Sequence, residues 1–173
     1  MRAAALTLAT WALATASLAQ LPPAPAFLCH FAQLVTWPEP AGSESPPLII
    51  AVVGPDPFGE GLEAAIHDQT APGRKVLVRR VASIDELPHS LHILFFGSVE
   101  PAELERGLAL VARTPVLTVS AIRGFARQGG MIGFRRTRDR RVTFDINARA
   151  ASAAGLKISS QLLKLGRIVE TRK

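Results

Sequence analysis

The amino-acid sequence predicts a single α/β domain, a mainly parallel wound sheet with flanking helices and a C-terminal antiparallel hairpin. Three observations predict it. Leu48 to Val53 is an unbroken apolar, β-branched run, the pattern of a strand buried on both faces. Around it, strand-like and helix-like stretches alternate at short spacing, which specifies a parallel sheet with helices on both faces. Beyond residue 130 the rhythm changes to two apolar runs around a polar, Arg-rich stretch, which is a hairpin pattern.

Each element has its own local reason. Leu21-Pro22-Pro23-Ala24-Pro25 is a stiff, extended entry. Phe27, Leu28, Phe31, Leu34 and Val35 follow helical spacing and predict one apolar helix face. Trp37-Pro38 should end that helix, because the residue before proline is pushed out of the helical region. Trp37 is expected to join Phe27 and Phe31 in an aromatic cluster that anchors the core or faces a partner. Glu39 to Pro47 is a Pro, Gly and Ser loop. After the first strand, Gly54-Pro55-Asp56-Pro57-Phe58-Gly59 turns the chain into a helix over Glu60 to Asp68, with Leu62 and Ile66 inward. Pro72-Gly73 marks a turn, and Lys75 to Val81 a second strand. Ser83 to Glu86 opens a short helix with a capping-box-like pattern.

Leu91 to Phe96 is a third strand, ended by Gly97-Ser98. Pro101 suits the first turn of a helix and Glu103 its positive end; that helix runs to about Ala112. Pro115 to Val119 is a fourth strand, followed by Ser120 and a short helix around Ile122 to Arg127. Met131 to Phe134 and Val142 to Ile146 form the hairpin about Arg135 to Arg141, which should add antiparallel strands at one edge of the sheet. Asn147 caps a helix from about Ala148 to Ala154, stopped by Gly155. A last helix is expected over about Ser159 to Val169, with Leu162, Leu163, Leu165 and Ile168 mostly inward.

Composition narrows the class. The chain has 173 residues, 48% hydrophobic and 20% charged, which argues against disorder and allows one domain to bury a core without disulfides. Arg2, the apolar stretch from Ala3 to about Ala16 and the small residues of Ser17-Leu18-Ala19 read as a secretory signal peptide, residues 1–19, cleaved before Gln20. The mature domain is then 20–173. The formal charge of +6 would suggest nucleic acid for a cytosolic protein. For an exported one it points to anionic lipid or an acidic protein, or simply to a basic solvated surface, and no nucleic-acid partner is expected. The one cysteine, Cys29, excludes an internal disulfide; its apolar helical setting predicts a buried thiol.

Two places could carry recognition. The turn Gly54 to Gly59 lies at the carboxyl end of a buried strand and opens a helix. Ligands bind at that edge of open α/β sheets, and helix N-termini attract anions. Gly54, Asp56, Phe58 and Gly59, with Gly97, Ser98 and Ser120 from neighbouring strand ends, are the candidate ligand site for a small anionic or polar molecule. The competing reading is a tight turn held by two prolines and an Asp56 side-chain bond. The second place is the hairpin tip, where Arg135, Arg136, Arg138, Arg140 and Arg141 crowd together and need solvent or an acidic partner. No cofactor or metal is expected. His89 and His92 have no accompanying ligands, and Gly97-Ser98-Val99 is not a nucleophile elbow. The chain therefore reads as a binding module rather than an enzyme.

Three stretches together resemble the YfiR-like family of periplasmic proteins. They are Phe31-Ala32-Gln33-Leu34-Val35-Thr36-Trp37-Pro38; Gly54 to Gly59 directly after the first buried strand; and Pro115 to Ser120 running through Gly124-Phe125-Ala126 and Gly129-Gly130-Met131-Ile132-Gly133 to Phe144-Asp145-Ile146-Asn147. The resemblance implies a periplasmic domain often encoded beside membrane-bound diguanylate cyclases or histidine kinases. The namesake represses a cyclase by contacting its periplasmic sensor domain, and so controls cyclic-di-GMP output and biofilm formation. Relatives also imply a dimer. The namesake subgroup uses disulfides, but Ser90 stands near where many relatives carry cysteine, and Cys29 has no mate. The expected function is a regulatory binding protein that contacts the periplasmic domain of an inner-membrane signalling protein, with Trp37, Arg135, Arg136, Arg138, Arg140 and Arg141 as the candidate contact residues. The alternative is a solute-binding protein for a small anionic metabolite.

Overall fold

The computed structural model describes residues 25–38, 47–69, 75–137 and 141–171. The expected signal peptide, the loop after Pro38, the Pro72-Gly73 turn, and Arg138 and Arg140 lie outside the described residues.

The first apolar stretch forms α1 (Ala26–Leu34), but the chain becomes extended two residues before Trp37, at β1 (Val35–Thr36). The apolar run is β2 (Leu48–Val53), followed by α2 (Gly61–Gln69) and β3 (Val76–Val81). A single 3-10 turn, Ile84–Glu86, has its Asp85 amide bonded to the Ser83 hydroxyl at 3.2 Å. Then come β4 (Ile93–Phe96), α3 (Pro101–Val111) and β5 (Leu117–Ser120). A second 3-10 segment, Phe125–Gln128, leads to β6 (Ile132–Arg136) and β7 (Val142–Ile146), followed by α4 (Ala148–Ala153), β8 (Lys157–Ile158), α5 (Ser160–Leu165) and β9 (Gly166–Ile168).

Seven strands make one sheet in the order β3-β2-β4-β5-β6-β7-β9, and β1 pairs antiparallel with β8 apart from it. Strands β3, β2, β4, β5 and β6 run parallel. Strand β7 returns antiparallel to β6, and β9 runs parallel to β7. The first five strands thus have the doubly wound order in which chain direction across the sheet reverses between β2 and β4.

Strand alternation splits the core into two layers. Ile50, Val52, Ile93, Phe95, Leu117 and Val119 face α1, α2, α4 and α5. Ala51, Val53, Leu94 and Phe96 face Ile84, Leu104, Val111 and Phe125 on the other side. On the first face Phe27 and Phe31 pack edge-on against Phe144, with ring centroids 5.1 and 5.2 Å apart, and so pin α1 to the hairpin.

Four expectations are corrected. The last helix stops at Leu165, and Gly166 to Ile168 is a strand. A Cβ at Gly166 would lie 2.6 Å from Ile146, so only glycine lets the chain come this close to β7. Leu165 and Ile168 are exposed rather than inward. The hairpin is not the sheet edge, because β9 covers β7. Trp37 does not join Phe27 and Phe31: its indole N–H donates to the His92 carbonyl at 3.3 Å and its ring meets the His92 ring edge-on.

Candidate functional site

Strands β2, β4 and β5 are in register, so Val53, Phe96 and Ser120 finish side by side. The turn Gly54–Gly59 and the Gly97-Ser98 loop therefore share one sheet edge. They meet directly. A Cβ on Gly97 would fall 2.2 Å from the Pro55 carbonyl oxygen, and one on Gly54 would fall 2.7 Å from Val99. Gly54 and Gly59 both have positive φ, which a non-glycine residue adopts only under strain.

Asp56 and Ser120 at this edge serve the fold. Asp56 accepts the Phe58 amide through Oδ1 at 2.7 Å, and pairs through Oδ2 with Nε of Arg80 at 2.6 Å. Arg80 also pairs with Glu63 and donates to the Gly59 carbonyl at 2.7 Å. One guanidinium from β3 thus ties the turn to the start of α2. The hydrogen bond from Arg80 holds the Glu63 carboxyl below its usual range, and the two carboxylates raise the Arg80 value. Phe58 is buried against Phe95, with ring centroids 4.7 Å apart. Ser120 is fully buried, donating to the Phe96 carbonyl at 2.8 Å and accepting the Ile122 amide at 3.0 Å. Among the candidate ligand residues, Gly59 and Ser98 are the exposed ones.

Burial pushes the Cys29 thiol up, as expected for a packed cysteine. His92 accepts the Ile49 amide at Nδ1, 3.2 Å away, so it too serves the fold. Among the described residues no group of three or more His, Cys, Asp or Glu could hold a metal ion.

The arginines fare differently. Arg135 and Arg136 belong to β6 rather than to the hairpin tip, and Arg141 is exposed just before β7. On the sheet face opposite the phenylalanine cluster, β6, β7 and β9 present Gly133, Arg135, Thr143, Asp145 and Arg167 where β2 and β4 present Ala, Val, Leu and Phe. Helix α3 runs beside this polar half, and a groove of about 1320 Å³ lies between them. Its floor centres on Asp145, which pairs in register with Gly133 on one side and Arg167 on the other. Asp145 accepts Nε of Arg135 at 3.2 Å, and Nε and Nη2 of Arg167 at 3.0 and 2.8 Å. Those bonds raise the Arg167 value. Leu108 and Ala109 line the α3 wall, Arg123 and Arg127 the wall after β5, and Arg136 the end of β6.

Sequence reading picked out Arg135 and Arg136 but missed Arg167 and the role of Asp145. The helical spacing around it predicts Arg167 in a helix, from which it would not reach the sheet. Trp37 does not line the groove, so the structure does not bring it together with the arginines.

A family model described as YfiR/HmsC-like matches residues 24–167. No curated protein matches the chain.

Proposed function

The chain belongs to the YfiR/HmsC-like family, and from that premise we propose that it is a periplasmic regulatory protein. It binds the periplasmic sensor domain of an inner-membrane diguanylate cyclase or histidine kinase and biases its output. The observation that carries this reading is the match over residues 24–167. Two features support it. None of the helices in the described residues is long and apolar enough to cross a membrane. Asp56 and Ser120 at the sheet edge are engaged within the fold, whereas arginines crowd an open groove, as suits a surface that meets another protein. The reading involves no reactive centre. The partner responds to an occupied surface, by population shift between its own states.

The test uses the full chain expressed with its leader. Fractionation should place it in the periplasm. The periplasmic domains of signalling proteins encoded beside it should be retained on the purified mature protein, and deleting its gene should change cellular cyclic-di-GMP where the partner is a cyclase. A cytoplasmic mature protein, or no retention and no change in output, would defeat the reading.

Capture of a small anionic metabolite is the second reading, favoured by the common edge at which β2, β4 and β5 end beside the reversal of strand order. Thermal-shift screening separates the two, because a ligand bound only by the native state raises its melting temperature. The shift should survive in the wild type and vanish in Ser98→Trp, which would fill the exposed rim.

A further inference from the structure

The groove over β6, β7 and β9 has a charge pattern that specifies more than a generic contact surface. Arg123, Arg127, Arg135, Arg136 and Arg167 line it against two carboxylates, Glu105 and Asp145. Asp145 is already shared by two guanidinium groups. Arg135 spends only its Nε donor on Asp145, and a guanidinium has five N–H donors. Arg123 and Arg127 hold no carboxylate with their side chains among the described residues. Net positive charge in a concave surface attracts and orients carboxylates.

Shape decides the kind of anion. At about 1320 Å³ the groove is larger than the ~300–1,000 Å³ of ordinary small-molecule pockets. It follows α3, whose eleven residues span about 16 Å at 1.5 Å each. An extended chain covers that length with about five residues. Leu108 and Ala109 supply an apolar wall, so the occupant needs apolar side chains between its charges. A lipid surface is flat and favours protruding basic residues, whereas Arg135 and Arg167 stand on a floor walled by α3.

We infer that this groove receives an extended acidic segment of the regulated partner, with carboxylates on Arg123, Arg127, Arg135 and Arg167 and an apolar side chain against Leu108. The inference rests on the regulatory reading and locates the contact that reading requires.

The experiment is a fluorescence-anisotropy titration of the mature protein with a labelled peptide of alternating glutamate and leucine. Saturable binding is expected, weakening as salt rises because screening shortens the reach of the charges. Arg123→Glu/Arg127→Glu should weaken it at least about tenfold, and Arg123→Gln/Arg127→Gln less, with melting temperatures unchanged because neither side chain has a partner among the described residues. The lysine-leucine counterpart should not bind. No saturable binding, or equal affinity in the double variants, overturns the inference. So does complete displacement by millimolar inorganic phosphate, which would mark a small-anion site. Tighter binding of phosphatidylglycerol vesicles that excludes the peptide would mark a lipid surface instead.

Failure of the two readings can be told apart. If the sensor domain binds wild type and Arg123→Glu/Arg127→Glu equally, the regulator stands and the groove falls. If the peptide binds as expected but no sensor domain is retained, the groove stands and the regulator falls.

Discussion

Gly97 is the residue whose replacement should be felt most at the carboxyl edge of the sheet. Its missing Cβ would sit 2.2 Å from the Pro55 carbonyl oxygen, a backbone atom fixed by its own turn. Gly97→Ala should therefore cost about 1–3 kcal/mol, as forced overpacking does. At Gly59 a Cβ meets nothing within 4 Å and only the left-handed backbone is strained, so Gly59→Ala should cost about 1–2 kcal/mol. Urea denaturation of the two variants orders them. Glu63 supplies a pH test. Its carboxyl is held low by Arg80, so its pairing contributes above the ordinary glutamate value, near 4.3, and is lost as pH falls through and below it. Its side chain is 48% exposed, so the contribution is small and screened by salt. Glu63→Gln should lower the urea midpoint slightly at neutral pH and converge with wild type near pH 3. Equal pH profiles would show the pair contributes nothing. At this scale the sequence could name the Asp56 turn bond, which depends on residues two apart. It could not name Arg80 or Arg167 as partners, because those pairs join residues brought together only by strand order.

Asn147 shows how much one element can depend on a single side chain. Its Oδ1 caps α4 through the Ala150 amide at 3.0 Å, and its Nδ2 donates to the Ala126 carbonyl and the Thr171 hydroxyl, both at 2.9 Å. The residue is 1% exposed. Asn147→Ala loses the cap, about 1 kcal/mol, and leaves a buried carbonyl without its donor, about 1–3 kcal/mol more. Asn147→Asp keeps an acceptor for the cap but places negative charge beside the Ala126 oxygen. It should therefore destabilise comparably, and chemical denaturation of both variants checks this. An Asp variant close to wild type would mean the cap alone matters. The cap was legible because asparagine before a helix is a local signal. Strand β2 was legible because six apolar residues in a row leave few alternatives. Strand β9 was not, because Leu162, Leu163, Leu165 and Ile168 keep a helical rhythm across Gly166, and three residues are too few to show alternation. Strands β1 and β8, two residues each, were hidden for the same reason. Misreading β9 also hid the groove, since its floor needs Arg167 in the sheet.

Across the whole molecule the sheet is covered unevenly, and that asymmetry separates stability from recognition. Strands β2 and β4 lie between two apolar layers, while β6 and β7 have one apolar layer and one polar face. Amide exchange follows local burial, so protection should peak in β2, β4 and β5 and be lowest in the edge strands β3 and β9. Binding then has a position-dependent signature. A partner segment seated in the groove shields Arg135, Asp145 and Arg167, and should slow exchange in β6, β7 and β9 and along α3. Exchange in β2 should change only by the uniform amount that native-state binding adds to global opening. Hydrogen–deuterium exchange of the mature protein, alone and with the sensor domain, distinguishes this from contact through Trp37, which would instead protect β1, β8 and the His92 loop on the opposite side of the sheet. Protection confined to that second set would assign recognition to the side of the sheet that carries α1 and leave the arginine groove as a solvated face.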